Sequence, residues 1–425
     1  MKVTISPGPI RGMVSAIPSK SHLHRLLICA ALADGPTTLR CAPTQAEDIT
    51  ATINCLCALG AAVERRADGF AVSPIDRARL PEEAVFPCME SGSTLRFMLP
   101  IVCALGVRGR FDLSGRLPER PLAPLDEALT QQGIRLWRPN PDVLCCEGAL
   151  TPGTYSLPGN ISSQYITGLL LALPLLEGES TLRITGAVES RDYITMTTDA
   201  CAQFGYDPWE TEQDVYLLNK SWPFRSPGEV ACDGDWSNAA FWLCAGAMPG
   251  GDIQLGGLSR QSLQGDREVC DILAQMGAQL SWEGGLLRVR EGTRRAVEID
   301  ARATPDLVPV LCAVAAVSEG VTTVKNAARL RIKESDRIAA TTQTLNALGA
   351  NVREQPSGLV IEGVPRLRGG AVDAWGDHRI AMMAAVAATA CEGPVSLTGA
   401  QAVRKSYPAF WEKLSALGGQ VRIDE

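Results

Sequence analysis

The chain has 425 residues, with 40 Lys and Arg against 47 Asp and Glu, and is 46% hydrophobic but only 5% aromatic. At roughly 100–200 residues per domain, this length predicts two or more domains, each able to bury a core without disulfide or metal staples. A net charge of −7 excludes a broad electrostatic grip on nucleic acid, although not local basic pockets for a small anion.

In chain order, the first eight residues have no apolar signal core. The longest apolar stretches, 168–176 and 380–391, fall short of the ~18 residues of a membrane span. A cytoplasmic location with no membrane partner is therefore expected. Pro18-Ser19-Lys20-Ser21-His22-Leu23-His24-Arg25 opens a helical pattern with hydroxyls and cations. Short strands are predicted at 37–39, 63–64 and 70–72. The next helix starts carry Glu90-Ser91-Gly92-Ser93-Thr94-Leu95-Arg96, Leu117-Pro118-Glu119-Arg120-Pro121, Asn160-Ile161-Ser162-Ser163-Gln164-Tyr165 and Ser190-Arg191-Asp192-Tyr193. A Pro-rich stretch, Trp222 to Gly228, breaks regular structure. Beyond it stand Thr304-Pro305-Asp306, Arg331-Ile332-Lys333-Glu334-Ser335-Asp336-Arg337, Asp377-His378-Arg379 and Arg404-Lys405-Ser406-Tyr407-Pro408. Read singly, most of these are helix caps or solvated charged faces. Thr304-Pro305-Asp306 in particular reads fully as a cap, a first-turn proline and a dipole-favoured carboxylate.

Two combs of equal pitch run through this order. Helical patterns end on Gly60, Gly133, Gly205, Gly277, Gly349 and Gly418, separated by 73, 72, 72, 72 and 69 residues. Glycine just past a helix enters the left-handed region without a Cβ clash. Short polar residues open apolar helices at Ser21, Ser93, Ser163, Ser237, Asp306 and His378, spaced 72, 70, 74, 69 and 72. The period predicts six βαβαββ units, three to a domain. Expected domains are 19–231, and 1–18 plus 232–425, with two chain crossings. A cleft where they meet is the expected ligand site.

Equivalent helix ends point to one end of each domain, which collects Lys20, Arg25, Arg120, Lys333, Arg337, Arg379 and Lys405. Lys333 and Arg337 are four apart, hence expected on one helical face. Local cationic excess in an acidic protein implies a small polyanionic substrate, and Asp306 and Glu334 among the cations are candidate proton carriers. Fourteen cysteines form no Cys-x-x-Cys pair, and with three histidines no metal site is expected.

In this order the motifs resemble the 5-enolpyruvylshikimate-3-phosphate (EPSP) synthase family, over essentially the whole chain. The resemblance implies an α/β fold of two domains, each of three βαβαββ units in an inside-out barrel, closing over the cleft. It implies enolpyruvyl transfer from phosphoenolpyruvate to shikimate 3-phosphate in the shikimate pathway, the route to chorismate and aromatic amino acids, with no metal or organic cofactor. Carried over motif by motif, Ser21 and Arg25 would hold the shikimate carboxylate, and Ser162, Ser163 and Ser190 the 3-phosphate. Tyr193 would line the ring, and Lys20, Gln164, Asp306 and Lys333 would also contact this substrate. Phosphoenolpyruvate would meet Lys20, Gly92, Arg120, Gln164, Arg337, His378, Arg379 and Lys405. Lys20, Asp306 and Glu334 would carry the proton transfers. Gly92 implies room for glyphosate, and a monomer is expected.

Glu90 and Arg329 stand where many family members carry Asn, and both are left outside the expected site. The UDP-N-acetylglucosamine enolpyruvyl transferases are the nearest alternative. They place a cysteine where this chain has Gly115. A non-catalytic six-repeat scaffold is the alternative of another class, and fold alone does not exclude it.

Overall fold

The computed structural model describes residues 1–219 and 223–424, so Trp222 of the Pro-rich stretch lies outside the described residues. Residues 223–228 carry neither helix nor strand. The chain divides into two compact units, Pro18–Asp233 and Met1–Ile17 with Gly234–Glu425. Among the described residues there are twelve α-helices. The unit of residues 18–233 holds α1 (Lys20–Ala31), α2 (Glu47–Ala58), α3 (Gly92–Ala104), α4 (Leu125–Gln131), α5 (Ser163–Ala172) and α6 (Arg191–Gln203). The other unit holds α7 (Trp236–Ala247), α8 (Val269–Gln275), α9 (Val308–Ala315), α10 (Arg337–Ala347), α11 (His378–Ala388) and α12 (Phe410–Ala416).

The described residues form six four-stranded sheets with one pairing rule: a parallel pair, then two antiparallel pairs. In the first repeat Glu229–Ala231 runs parallel to Thr37–Arg40, with Val230 opposite Leu39, and Gly69–Ser73 and Ala62–Arg66 complete the sheet. The last sheet takes Lys2–Ile5 between Val395–Thr398 and Val421–Asp424. Arg11–Ser15 pairs in parallel with Asp252–Gly256.

The helix ends explain the repeat. All six comb glycines have positive φ, from +75° at Gly205 to +100° at Gly60. In each case the glycine N–H and the next N–H turn back onto the helix, as Gly277 N to Ala274 O and Ala278 N to Leu273 O. This pair of hydrogen bonds satisfies carbonyls the helix leaves open and requires a left-handed residue.

Helix starts differ from expectation. Ser19, Ser91, Ser162, Asp235 and Asp377 are the caps, each accepting from a first-turn N–H. Ser21, Ser93, Ser163, Ser237 and His378 therefore lie inside the first turn. The reason is geometric, because a capping oxygen must reach in from outside the helix. Asp306 lies in a short 3-10 turn, Pro305–Leu307, and Thr304 makes no side-chain capping bond. The charged motifs before α4, α10 and α12 also form 3-10 turns, Leu117–Glu119, Ala328–Ile332 and Ala400–Lys405. Lys333 is extended and precedes α10, which begins at Arg337, so these two residues do not share a helical face.

Every residue of α9 and α11 is buried, and α1, α3, α5 and α7 nearly so. Such helices are apolar all round and belong inside. Their polar first turns therefore emerge directly from a core. α3 and α5 approach closely at one point. Pro100 lacks the N–H that would bond Arg96 O, and Gly168 fills that gap, since a Cβ there would lie 2.3 Å from Arg96 O. No described helix is long and apolar enough to cross a membrane.

Candidate functional site

In the unit of residues 18–233, the first turns of α1, α3, α5 and α6 supply the polar groups. Lys20 at the start of α1 donates to Asp48 Oδ2 at 2.8 Å. One turn on, buried Arg25 donates from Nε to Thr197 Oγ1 (2.8 Å), from Nη1 to Ser21 O (2.6 Å) and from Nη2 to Thr167 Oγ1 (3.1 Å) and Tyr193 O (3.0 Å). Burial lowers its pKa to about 10, which leaves it cationic at neutral pH. Ser21, Arg25 and Tyr193 are thus brought together.

A second group forms around Arg96, whose motif is visible in the sequence but to which no role was attached. Its Nη1 donates to Gln164 Oε1 (2.8 Å), its Nη2 to Pro121 O (3.1 Å), and its guanidinium lies 5.5 Å from the Tyr165 ring centroid. Gln164 in turn donates to Ser93 Oγ at 2.9 Å. A Cβ on Gly92 would sit 2.6 Å from Arg96 Nη1 and 2.8 Å from Arg120 Nη1, so glycine makes room for two guanidiniums. Gly92, Arg120 and Gln164 therefore meet through a residue not predicted.

Ser162 accepts from Gln164 N at 3.3 Å as the cap of α5, which uses an acceptor lone pair and leaves its O–H to donate. Ser163 and Ser190 are buried. Ser190 opens α6 in the left-handed region, φ 55° and ψ 45°, an unfavourable conformation for serine that marks a constrained position.

Glu90 and Arg329, excluded from the expected site, have defined places. Glu90 Oε1 accepts from Arg116 N at 3.2 Å, and a Cβ on Gly115 would lie 2.2 Å from that same oxygen. Arg329 donates to Arg302 O at 2.8 Å.

In the other unit one guanidinium organises the charges. Arg337, 1% exposed, donates from Nε to Asp377 Oδ2 (2.7 Å), from Nη1 to Asp306 Oδ1 (2.7 Å) and from Nη2 to Glu334 Oε2 (2.8 Å). Arg379 donates from Nη2 to Asp306 Oδ2 (3.2 Å) and to Ser237 Oγ (2.7 Å), and from Nη1 to Asp306 O (3.1 Å). Lys333 Nζ stands 3.8 Å from Asp306 Oδ1. Despite lying on different elements, Asp306, Lys333, Glu334, Arg337 and Arg379 form one cluster. The plain capping reading of Asp306 fails here, because its carboxylate serves three cations.

Burial alone would raise the Asp306 carboxyl, but Arg379, Lys333 and Arg337 outweigh it and hold it well below the usual carboxylate range. Burial lowers Lys333 to about 8 against the pull of Asp306. Arg337 would also be lowered by burial, yet Asp377, Glu334 and Asp306 raise it above its ordinary value. Asp377, absent from the expected site although within a quoted motif, anchors the cluster and also accepts from Ser335 Oγ at 3.1 Å. His378 is buried with Nδ1 3.7 Å from Asp377 Oδ1. Lys405 is buried at the end of its 3-10 turn, beside Ser406, which donates to Asn238 of α7.

Rings of arginine and lysine with ionised carboxylates, hydroxyls at helix starts and narrow glycine positions suit small substrates carrying carboxylate and phosphate groups. Among the described residues no group of His, Cys, Asp and Glu is arranged to hold a metal ion.

Comparison with known proteins gives the same direction. The family model for EPSP synthase (3-phosphoshikimate 1-carboxyvinyltransferase) matches residues 5–414. A 3-phosphoshikimate 1-carboxyvinyltransferase of Clostridium acetobutylicum is 42% identical over 430 residues, covering 99% of this chain and 98% of the relative. That of Clostridium kluyveri is 40% identical over 422 residues, with 99% and 98% covered. In solved structures, EPSP synthase from Acinetobacter baumannii superposes with a TM-score of 0.81 over 100% of both chains at 24% identity. The enolpyruvyl transferase NikO from Streptomyces tendae gives 0.78 at 20% identity, covering 99% of this chain and 98% of that one. These two establish the enolpyruvyl transferase fold, and the family match and the relatives at 40–42% identity go further: the chain belongs to the EPSP synthase family.

Proposed function

We propose that this chain transfers the enolpyruvyl group of phosphoenolpyruvate to the 5-hydroxyl of shikimate 3-phosphate and releases phosphate, as a cytoplasmic monomer in aromatic amino acid biosynthesis. The observation that carries the reading beyond family membership is the Arg337 cluster, in which three cations surround Asp306 and three carboxylates share one guanidinium. The carboxylates raise Arg337 above its ordinary value, so an incoming phosphate or carboxylate meets a guanidinium already protonated.

The proposed roles follow the chemistry. Addition needs a base for the 5-hydroxyl and an acid for the methylene carbon of phosphoenolpyruvate, and elimination needs stabilisation of the departing phosphate. Asp306, kept ionised, accepts a hydrogen bond from a substrate hydroxyl. Lys20, Asp306 and Glu334 are the candidates for proton transfer, joined by Lys333, whose pKa near 8 suits exchange near neutral pH. Arg120, Arg337, Arg379, His378 and Lys405 bind phosphoenolpyruvate with Gly92 and Gln164. Ser21, Arg25, Ser162, Ser163, Ser190 and Tyr193 bind shikimate 3-phosphate.

Gly115 also argues against the nucleotide-sugar alternative. Its φ of +56° and the Glu90 carboxylate packed where a Cβ would lie leave no place for a cysteine side chain. The test is phosphate release from phosphoenolpyruvate with shikimate 3-phosphate, and with UDP-N-acetylglucosamine as control acceptor. Release with the first alone is expected, and release with the second alone overturns the assignment. Glu334→Gln should lower kcat by about a hundredfold or more if Glu334 moves a proton. Loss of less than about threefold removes it from the mechanism.

A further inference from the structure

We infer that Glu90 is a positioning residue that keeps the Arg120 guanidinium aimed by locking the chain at Gly115 and Arg116. This rests on the reading of Arg120 as a phosphoenolpyruvate ligand and adds what holds it in place.

Glu90 is half-buried and follows the strand Glu83–Met89. That strand pairs in parallel with Arg108–Leu113, and the register shifts between Pro87 and Met89. A bulge of this kind bends the strand end and re-aims the residues that follow it. Beyond the sheet the two segments meet at three points. Ser114 N donates to Met89 O at 2.8 Å, and Arg116 N donates to Glu90 Oε1 at 3.2 Å. The Arg120 guanidinium lies against Gly92, where a Cβ would stand 2.8 Å from Nη1.

Arg120 closes the 3-10 turn Leu117–Glu119. Glu119 N donates to Arg116 O (3.1 Å) and Arg120 N to Leu117 O (3.2 Å), so residues 116–120 move as one piece. At its far end this piece is pinned through Pro121 O, which accepts from Arg96 Nη2 (3.1 Å) and from Tyr165 Oη (2.7 Å). Its near end begins at Gly115, whose φ is +56°, and glycine resists backbone rotation least of all residues.

Glu90 supplies the missing resistance. Its carboxyl lies over the Gly115 Cα, where a Cβ would clash with Oε1 and Cδ alike, and the same Oε1 takes the Arg116 N–H. Without that carboxyl the near end keeps its Ser114 bond but pivots at Gly115, and Arg120 swings with it. An arginine pinned on both sides is pre-organised for an anion before the anion arrives.

The test uses the full chain, with kcat, KM for each substrate and a thermal melt for the native protein, E90Q, E90A, G115A and R120A. Glu90→Gln keeps an accepting oxygen, and Glu90→Ala removes it. E90A is expected to raise KM for phosphoenolpyruvate about tenfold, with kcat and KM for shikimate 3-phosphate within about threefold, while E90Q stays within about threefold of native throughout. G115A keeps Glu90 but drives its carboxyl off Arg116 N, and should reproduce the E90A shift. If R120A leaves KM for phosphoenolpyruvate unchanged, the reading of Arg120 itself falls. If R120A raises it while E90A lowers only the melting temperature, Glu90 staples the loop and has no positioning role. Equal rises in E90A and E90Q would mean that charge rather than the hydrogen bond acts, which also overturns the inference. Should E90A fail to fold, G115A decides, and an unchanged KM for phosphoenolpyruvate in that variant overturns it.

Discussion

Single atoms decide two outcomes that separate binding from folding. Gly92 has no positive φ, so alanine there meets no backbone strain, but its Cβ would press on Arg96 Nη1 and Arg120 Nη1. Both are far ends of flexible side chains and can swing aside. Gly92→Ala should therefore change stability by less than about 1 kcal/mol while raising KM for phosphoenolpyruvate about tenfold, read by a thermal melt beside steady-state kinetics. Glyphosate, if it shares the phosphoenolpyruvate position, should lose affinity in the same variant. His24 gives the opposite case, acting on stability alone. It is buried, with Nδ1 2.7 Å from Thr52 Oγ1, and burial lowers its pKa from 6.5 to about 3. The unfolded chain protonates this ring first on acidification. Its contribution is present above about pH 6.5 and is lost as pH falls toward 3, with a ceiling of about 5 kcal/mol. His24→Asn, which bonds Thr52 without titrating, should flatten the fall of the urea midpoint over that window. An unchanged acid limb would show that other groups dominate it.

Helices bring these atoms together, and the contact of α3 with α5 is the most exacting. Gly168 allows Arg96 O to lie where a Cβ would be 2.3 Å away, and Pro100 Cγ where it would be 3.0 Å away. Backbone cannot yield as a side-chain tip does. Gly168→Ala should cost about 3 kcal/mol or more in denaturant unfolding and, by shifting Arg96 against Gln164, raise KM for phosphoenolpyruvate. This contact also shows what the sequence makes legible. The repeat could be read because Gly60 to Gly418 do one conformational job six times, and that job leaves a residue type as its trace. Cap positions slipped by one or two residues because Ser19-Lys20-Ser21 and Ser91-Gly92-Ser93 each offer two serines, and only backbone geometry chooses the outer one. Lys333 and Arg337 do converge on Asp306, but from an extended residue and a helix start, a change of backbone within four residues that spacing does not reveal. Arg96, Asp48 and Asp377 are given no role by the sequence because each acts on another side chain across the fold. A first-turn Asp or a helical Arg looks ordinary until its distant partner is known.

At the scale of the whole chain, the two units differ in how their sequence is supplied. The core of residues 18–233 is built wholly from its own segment, from Leu23 to Phe224. The core of the other unit includes Val3, Ile5, Ile10 and Val14 from the first seventeen residues. Lys2–Ile5 is an inner strand with a neighbour on each side, and Arg11–Ser15 is the parallel partner of Asp252–Gly256. Removing four buried aliphatic side chains, at about 2 kcal/mol each, already matches the ~5–15 kcal/mol that stabilises a domain, before the exposed strand edges are counted. Residues 18–233 expressed alone should therefore melt cooperatively. Residues 234–425 alone should not, and should fold when a peptide of residues 1–17 is added, with an apparent stability that rises with peptide concentration. A cooperative melt of 234–425 without the peptide would mean that the last sheet closes without its inner strand, and that the N-terminal segment guides the chain rather than holding it together.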